Sequence, residues 1–160
     1  MNRQKIVAPK TILEDAKKHG FRGVKLYPAR IQDKPVAIIA VFVPRNIRPR
    51  NIQLQLQGID TPHGVIGRLL VYIPHYGPYE LFLNPSDKTT AKYVRLMLSR
   101  DCIYGILVSP SGATPMRLTL SRERLEELRL AWDKIVELSK KKPCRDFEKA
   151  TDWAMENIPL

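Results

Sequence analysis

Apolar residues recur along the chain with two different periods, which divide it into predicted strands and helices. Ile52, Leu54 and Leu56 alternate strictly with three glutamines, as in a strand with one buried face. The run from Val36 to Val43 is apolar throughout, which is typical of a central strand covered on both faces. Similar patterns predict strands at 23–31, 36–43, 52–57, 65–73, 79–83, 103–109 and 116–120.

Apolar spacings of three and four residues predict four helices. Thr11 and Glu14 form a capping box that starts the first helix, which ends near Gly20. Leu13 and Ala16 are expected to face inward. The other helices are predicted from Ser86 or Asp87 to Ser99, from 122 to 140 and from 145 to 156. The third has the strongest pattern, with apolar residues at Leu125, Leu128, Trp132, Ile135 and Leu138.

The order of these elements predicts an α+β fold. We expect a mixed, largely antiparallel sheet on which an N-terminal helix, a mid-chain helix and two C-terminal helices pack. A chain of 160 residues with 44% hydrophobic residues fits one domain with a sizeable core. Residues 1–10 are expected to form a basic, flexible lead-in, and the predicted turn between Gly58 and Gly64 separates two strands.

A second arrangement is suggested by the strand Tyr79–Leu83, the helix after it and the strand Ile103–Ser109. This order resembles the core of restriction-endonuclease-like folds, and the resemblance implies three layers, α/β/α. The aspartate and the Glu-x-Lys triplet of that family are not matched, because Phe82 stands where the lysine would follow Glu80. The resemblance therefore implies a degenerate member without cleavage activity.

The positive charge is concentrated at the start of the chain. The net charge is +11, of which residues 1–50 carry +9, residues 51–100 carry +2 and residues 101–160 carry none. A basic excess in one region predicts a face that binds a polyanion such as DNA or RNA. The alternative is a cationic surface that serves solubility alone.

A loop at 44–51 is the most suggestive segment within this basic region. It carries Arg45, Arg48 and Arg50 without an acidic residue, and its prolines stiffen it. Arginine forks match phosphate oxygens, so these residues are predicted to contact a nucleic-acid backbone; a solvated surface loop is the alternative. The same role is predicted for Lys17, Lys18, Arg22, Lys25 and Arg30. Replacing the three loop arginines by alanine is expected to weaken binding on all sequences alike.

Motifs for catalysis are missing from the sequence. There is no phosphate-binding P-loop, dinucleotide fingerprint or nucleophile elbow, and no cofactor or metal is expected. The carboxylates are too sparse in the predicted sheet for a metal-dependent nuclease. We therefore expect a non-catalytic nucleic-acid-binding protein. An enzyme acting on a phosphorylated substrate stays open if a cleft gathers His63, His75 and Glu80.

An adaptor or assembly protein is the other alternative. The two C-terminal helices carry Trp132 and Trp153, which could dock a protein partner if they are exposed. No apolar stretch is long enough for a membrane span and no signal peptide is evident, so a cytoplasmic location is expected. Cys102 and Cys144 are expected to be free thiols. The pattern does not distinguish DNA from RNA.

Overall fold

A computed structural model describes residues 10–18, 23–31, 33–43, 52–75, 77–99, 102–109 and 112–160. These ranges hold four helices and seven strands, which confirms the α+β class. The helices are α1 (Lys10–Lys18), α2 (Lys88–Leu98), α3 (Arg122–Lys141) and α4 (Phe147–Asn157). The strands are β1 (Gly23–Ile31), β2 (Lys34–Phe42), β3 (Gln53–Thr61), β4 (Gly64–Tyr72), β5 (Tyr79–Leu83), β6 (Cys102–Ser109) and β7 (Gly112–Thr119).

The strands form two sheets, whereas the sequence suggested one. Sheet A has the order β1-β2-β6-β7, with β2 parallel to β6 and the other pairs antiparallel. Sheet B is the antiparallel meander β3-β4-β5. Thus β5 and β6, the two strands on which the restriction-endonuclease-like resemblance depended, belong to different sheets.

A proline helps to explain why sheet A ends at β1. The Cα atoms of β1 and β5 come within 8 Å of one another, yet the two strands are not paired. Pro28 has no backbone N–H to donate to a further strand, and proline within a strand is typical of the edge of a sheet. The strands β1 and β2 form a tight hairpin, because Ile31 pairs with Lys34 and Asp33 adopts a positive φ of 61° between them.

Helices cover both faces of the strands. The outer face of sheet A packs against α1 through a cluster that includes Ile12, Ile38 and Phe42. The outer face of sheet B packs against α4 through Ile66 and Ala150. The inner faces of both sheets share one core with α2 and α3, and burial of each large apolar side chain there contributes about 1.5–3 kcal/mol.

Two of the predicted inward positions are wrong by one residue. In α1, Ile12 is buried and Leu13 is 41% exposed, because Ile12 and Ala16 are the pair four residues apart that faces sheet A. In α3, Leu138 is 44% exposed and Ser139 is buried in its place. The buried positions 125, 128, 132, 135 and 139 keep steps of three and four, and the Ser139 hydroxyl donates to the Val136 carbonyl at 2.6 Å.

The turn between β3 and β4 is shorter than expected. The predicted turn from Gly58 to Gly64 is wrong, since β3 continues to Thr61 and leaves only Pro62 and His63 between the strands. Gly58 pairs with Gly67 under α3, and a Cβ on Gly67 would lie 3.1 Å from Cζ3 of Trp132. The two glycines therefore serve close helix packing within a continuous hairpin.

The connection between α3 and α4 crosses over this turn. Gly64 has a φ of +118°, and a side chain on it would collide with the backbone of Pro143 and Cys144. Val65 N donates to the Lys142 carbonyl at 3.0 Å, and Arg145 N donates to the His63 carbonyl at 3.2 Å. Both hydrogen bonds anchor the start of α4 to sheet B. No helix in the described ranges is long and apolar enough to cross a membrane.

Candidate nucleic-acid interface

The end of α1 and the start of β1 are joined by the carboxylate of Asp15. It accepts hydrogen bonds from Lys25 Nζ at 3.4 Å and from the hydroxyl of Tyr27. Lys18 lies three residues after Asp15 along α1, so the two residues are neighbours on the helix surface, whereas Lys17, two residues after Asp15, faces another side. Both α1 lysines are exposed, because Ile12 and Ala16 occupy the buried face. We call Lys17, Lys18 and Lys25 the lysine group.

The charges in this group are only partly neutralised. The side chains of Lys25 and Asp15 are 37% and 27% exposed, so solvent weakens their ion pair to about 1 kcal/mol or less. Neither Lys17 nor Lys18 has an ion-pair partner among the described residues. Burial and the hydrogen bond with Asp15 raise the pKa of Tyr27, which therefore remains a protonated donor.

Arg30 lies apart from the lysine group. It is five residues along β1 from Lys25, a distance of about 16 Å, and odd and even positions of a strand face opposite sides. Its guanidinium is exposed and Nη1 donates to the carbonyl of Asp33 at 3.5 Å. Lys25 therefore lies with Asp15 on the α1 face of sheet A, whereas Arg30 lies on the other face.

The other predicted contacts lie outside the described residues. These are Arg22, the three arginines Arg45, Arg48 and Arg50 of the 44–51 loop, and residues 1–9 of the lead-in. Their predicted role in phosphate binding remains a prediction.

Arg117 is a cationic residue that the sequence analysis missed. It is exposed on β7, and its strand register places it on the α1 face of sheet A, three strands or about 14 Å across from β1. The alternation of apolar and charged residues in this strand could have revealed it. Met116 and Leu118 are buried, so Arg117 between them must point to the other face. The outer face of sheet A thus carries cations at both edges.

A cleft separates the edges of the two sheets next to Lys25. Its volume is about 410 Å³, and it lies between β1, β5 and the first turns of α2 and α4. Its lining residues include Lys25 and three aromatic residues, of which Tyr93 packs on the shared core while Phe82 and Phe147 pack on the outer face of sheet B. We call it the interstrand cleft. Sequence reasoning did not find it, because its walls come from four elements that are distant along the chain.

A buried arginine lies on the outer face of sheet B. The side chain of Arg68 is 5% exposed, and Nη2 and Nε donate to Gln57 Oε1 at 2.7 and 3.2 Å. Nη1 donates to Glu80 Oε2 at 3.5 Å and to the Pro159 carbonyl at 3.4 Å. These partners satisfy a charge that burial would otherwise penalise, so we interpret the Arg68 cluster as structural.

The three residues proposed for an unfamiliar enzyme do not share a cleft. His63 is in the β3–β4 turn and His75 follows the opposite end of β4, about 25 Å or more away. Glu80 is engaged by Arg68. The described ranges also contain no group of three or more His, Cys, Asp or Glu side chains suited to a metal ion.

Neither tryptophan is fully exposed for a protein partner. Trp132 is 2% exposed in the shared core. Trp153 is half-buried and packs beside Ile66 and Ala150. The condition that would have favoured an adaptor, exposed tryptophans on the C-terminal helices, is therefore not met.

Cys144 is a free thiol whose pKa is raised by burial.

Comparisons of the chain with protein-family models, with curated proteins and with solved structures gave no match.

Proposed function

We propose that this chain binds nucleic acid through phosphate contacts made by its basic N-terminal third, and that it does so without catalysing a reaction. The observation that supports the proposal is the lysine group: Lys17 and Lys18 are exposed on α1, and Lys25 of β1 contacts the same helix through Asp15. Part of the charge excess of the sequence thus lies on two elements that touch each other. Such a cluster attracts phosphates and releases their counterions.

The non-catalytic part of the proposal has a separate support. His63, His75 and Glu80 lie at different places on sheet B, so they offer no common centre for acid–base chemistry. The proposed location is the cytoplasm, which follows from the sequence expectation alone.

The proposal is tested with the double variant Lys17→Gln/Lys18→Gln. Binding to labelled single- and double-stranded DNA and RNA is followed by fluorescence anisotropy over a series of salt concentrations. The unaltered chain is expected to bind with an affinity that falls steeply with salt. The variant should bind more weakly to all sequences, with a log–log salt slope reduced by about 2, because each lysine contributes about one phosphate contact.

The matched control is Lys140→Gln/Lys141→Gln, which removes the same charge from the exposed end of α3. It should bind like the unaltered chain. The absence of binding to all four polymers at low salt would refute the proposal, and an equal loss in both double variants would show that only net charge matters. Alanine substitution of Arg45, Arg48 and Arg50 tests the predicted loop separately.

A further inference from the structure

A second cavity opens where the turn between β3 and β4 meets the connection between α3 and α4. Its volume is about 490 Å³, which falls within the range usual for small-molecule pockets. The two segments are joined by the backbone hydrogen bonds of Val65 with Lys142 and of Arg145 with His63. The position of the cavity is therefore set by backbone contacts. We call it the hairpin cavity.

Positive charge exceeds negative charge around the hairpin cavity. Lys141, Lys142 and Arg145 line it, and Asp146 is the only carboxylate among the described residues that do so. Lys141 and Arg145 are exposed, and neither has an ion-pair partner within the described part of the chain. Lys142 pairs with Asp60 at 3.0 Å, but both side chains are 62% exposed, so solvent weakens this pair.

The carboxylate of Asp146 is engaged by the helix that follows it. Its Oδ1 accepts from the backbone N–H of Lys149 at 3.1 Å, which makes Asp146 the N-cap of α4. The start of a helix carries a positive partial charge that offsets the charge of such a cap. Asp146 therefore opposes an anion in the cavity less than an unengaged carboxylate would.

Helix ends explain only part of this cluster of cations. Lys141 is in the last turn of α3, where a cation is favoured by the helix dipole. Arg145 lies between the two helices and just before the positive end of α4, where the dipole disfavours a cation. His63 lines the cavity from the opposite segment and is half-buried. The cationic groups thus come from two segments that are far apart in sequence.

A phosphate group matches this combination of side chains. The planar fork of an arginine fits two phosphate oxygens, and lysine ammonium groups add point charges. A cavity of about 490 Å³ is larger than a phosphate ion, so a small organic group fits beside it. Pro62 and Pro143 are exposed lining residues that offer apolar surface to such a group.

We propose that the hairpin cavity binds the phosphate group of a small phosphorylated molecule. The site shares no residue with the lysine group, so this inference goes beyond the proposed function and does not depend on it. Lys141 also belongs to the control variant for nucleic-acid binding, which should bind polymers like the unaltered chain. Each proposal can therefore fail without the other.

The test is a titration with inorganic phosphate and with phenyl phosphate at low ionic strength, followed by NMR of the backbone amides. Both should shift the resonances of Gly64 and Arg145, and acetate, a monoanion, should bind more weakly. The double variant Lys141→Gln/Arg145→Gln, shown to be folded by thermal melting, should bind phosphate at least about tenfold more weakly. The reason is that it removes charge-assisted hydrogen bonds.

The matched control is Arg122→Gln/Lys134→Gln, which removes the same charge from exposed positions of α3 outside the cavity. It should bind phosphate like the unaltered chain. The proposal is overturned if neither phosphate compound shifts these resonances. It is also overturned if both double variants lose affinity equally, because the chain would then respond to net charge alone.

Labelled single-stranded and duplex oligonucleotides distinguish the other source of a phosphate group. Lys141→Gln/Arg145→Gln should leave their binding unchanged. If this variant weakens polymer binding and phenyl phosphate does not bind, the cavity contacts a nucleic-acid backbone and the small-molecule proposal is wrong. If phosphate binds in the cavity and no polymer binds, the cavity proposal stands and the proposed function is wrong.

Discussion

The outer faces of the two sheets are closed in different ways. On sheet A, α1 covers apolar residues of β2 and β6, including Ile38 and Phe42. On sheet B, α4 covers only part of the face, and the buried Arg68 pairs with Gln57 and Glu80 beside it. The first face depends mainly on apolar burial, with polar contacts at its β1 edge, whereas the second needs each polar partner in place. The two faces should therefore respond differently to mutation.

The largest effect is expected on sheet A. Phe42→Ala removes a fully buried ring and should lower the free energy of unfolding by about 4 kcal/mol, from the lost burial and the cavity left behind. Urea unfolding measures this change. Leu130→Ala, at a position that is 61% exposed on α3, is the control and should change stability by less than about 0.5 kcal/mol. If Phe42→Ala lowers the free energy of unfolding no more than the control does, apolar burial between α1 and sheet A is not what stabilises this face.

A smaller effect is expected from the arginine on sheet B. Arg68→Ala leaves Glu80 and Gln57 without their donor and should cost about 3 kcal/mol by urea unfolding. This loss of unfolding free energy is small for the removal of one partner from a buried ion pair, because the Glu80 side chain is 22% exposed and water can solvate it.

The double variant Arg68→Met/Glu80→Leu distinguishes the two kinds of closure. It replaces the ion pair with apolar side chains, so it should be more stable than Arg68→Ala. If the double variant is less stable than Arg68→Ala, the Arg68 cluster stabilises the fold by more than pairing a buried charge.

The smallest effect is expected where α1 meets β1. Tyr27→Phe removes one hydrogen bond to Asp15 and should cost about 1 kcal/mol at neutral pH. Because burial and Asp15 raise the pKa of Tyr27 above its ordinary value of 10.0, the protonated ring stabilises the fold below that pH. This contribution is lost progressively as the pH rises above 10.0.

The measurement is the free energy of unfolding between about pH 8 and about pH 11. The unaltered chain should lose stability more steeply than Tyr27→Phe at the alkaline end, so the two curves converge. Parallel curves would show that the Tyr27 hydroxyl titrates as in the unfolded chain.

Local patterns predicted most of the elements. The bounds of β1 and β5 agree with expectation, and Asp87 and Ser121 cap α2 and α3 where the sequence places helix starts. Boundaries were less predictable at β3, where Gly58 reads as a turn residue. The structure shows that a glycine is required there by the approach of α3, a contact between segments that are far apart in sequence.

The candidate interface was predictable only in part. The opposite orientation of Lys25 and Arg30 follows from strand alternation once the strand is known. The contact between Lys25 and Asp15 does not follow, because it depends on how α1 lies across sheet A. The aromatic walls of the interstrand cleft are likewise unrelated in sequence.

The sequence by itself determined the α+β class, the helices and strands, and the concentration of positive charge in the first third. These properties depend on residue types and short spacings, which act through backbone geometry and local burial. Only the tertiary structure decided that the strands form two sheets, that Lys25 of β1 meets Asp15 of α1 and that Arg68 is buried among partners. Those features result from contacts between distant segments, whose free energies depend on packing that no local pattern encodes.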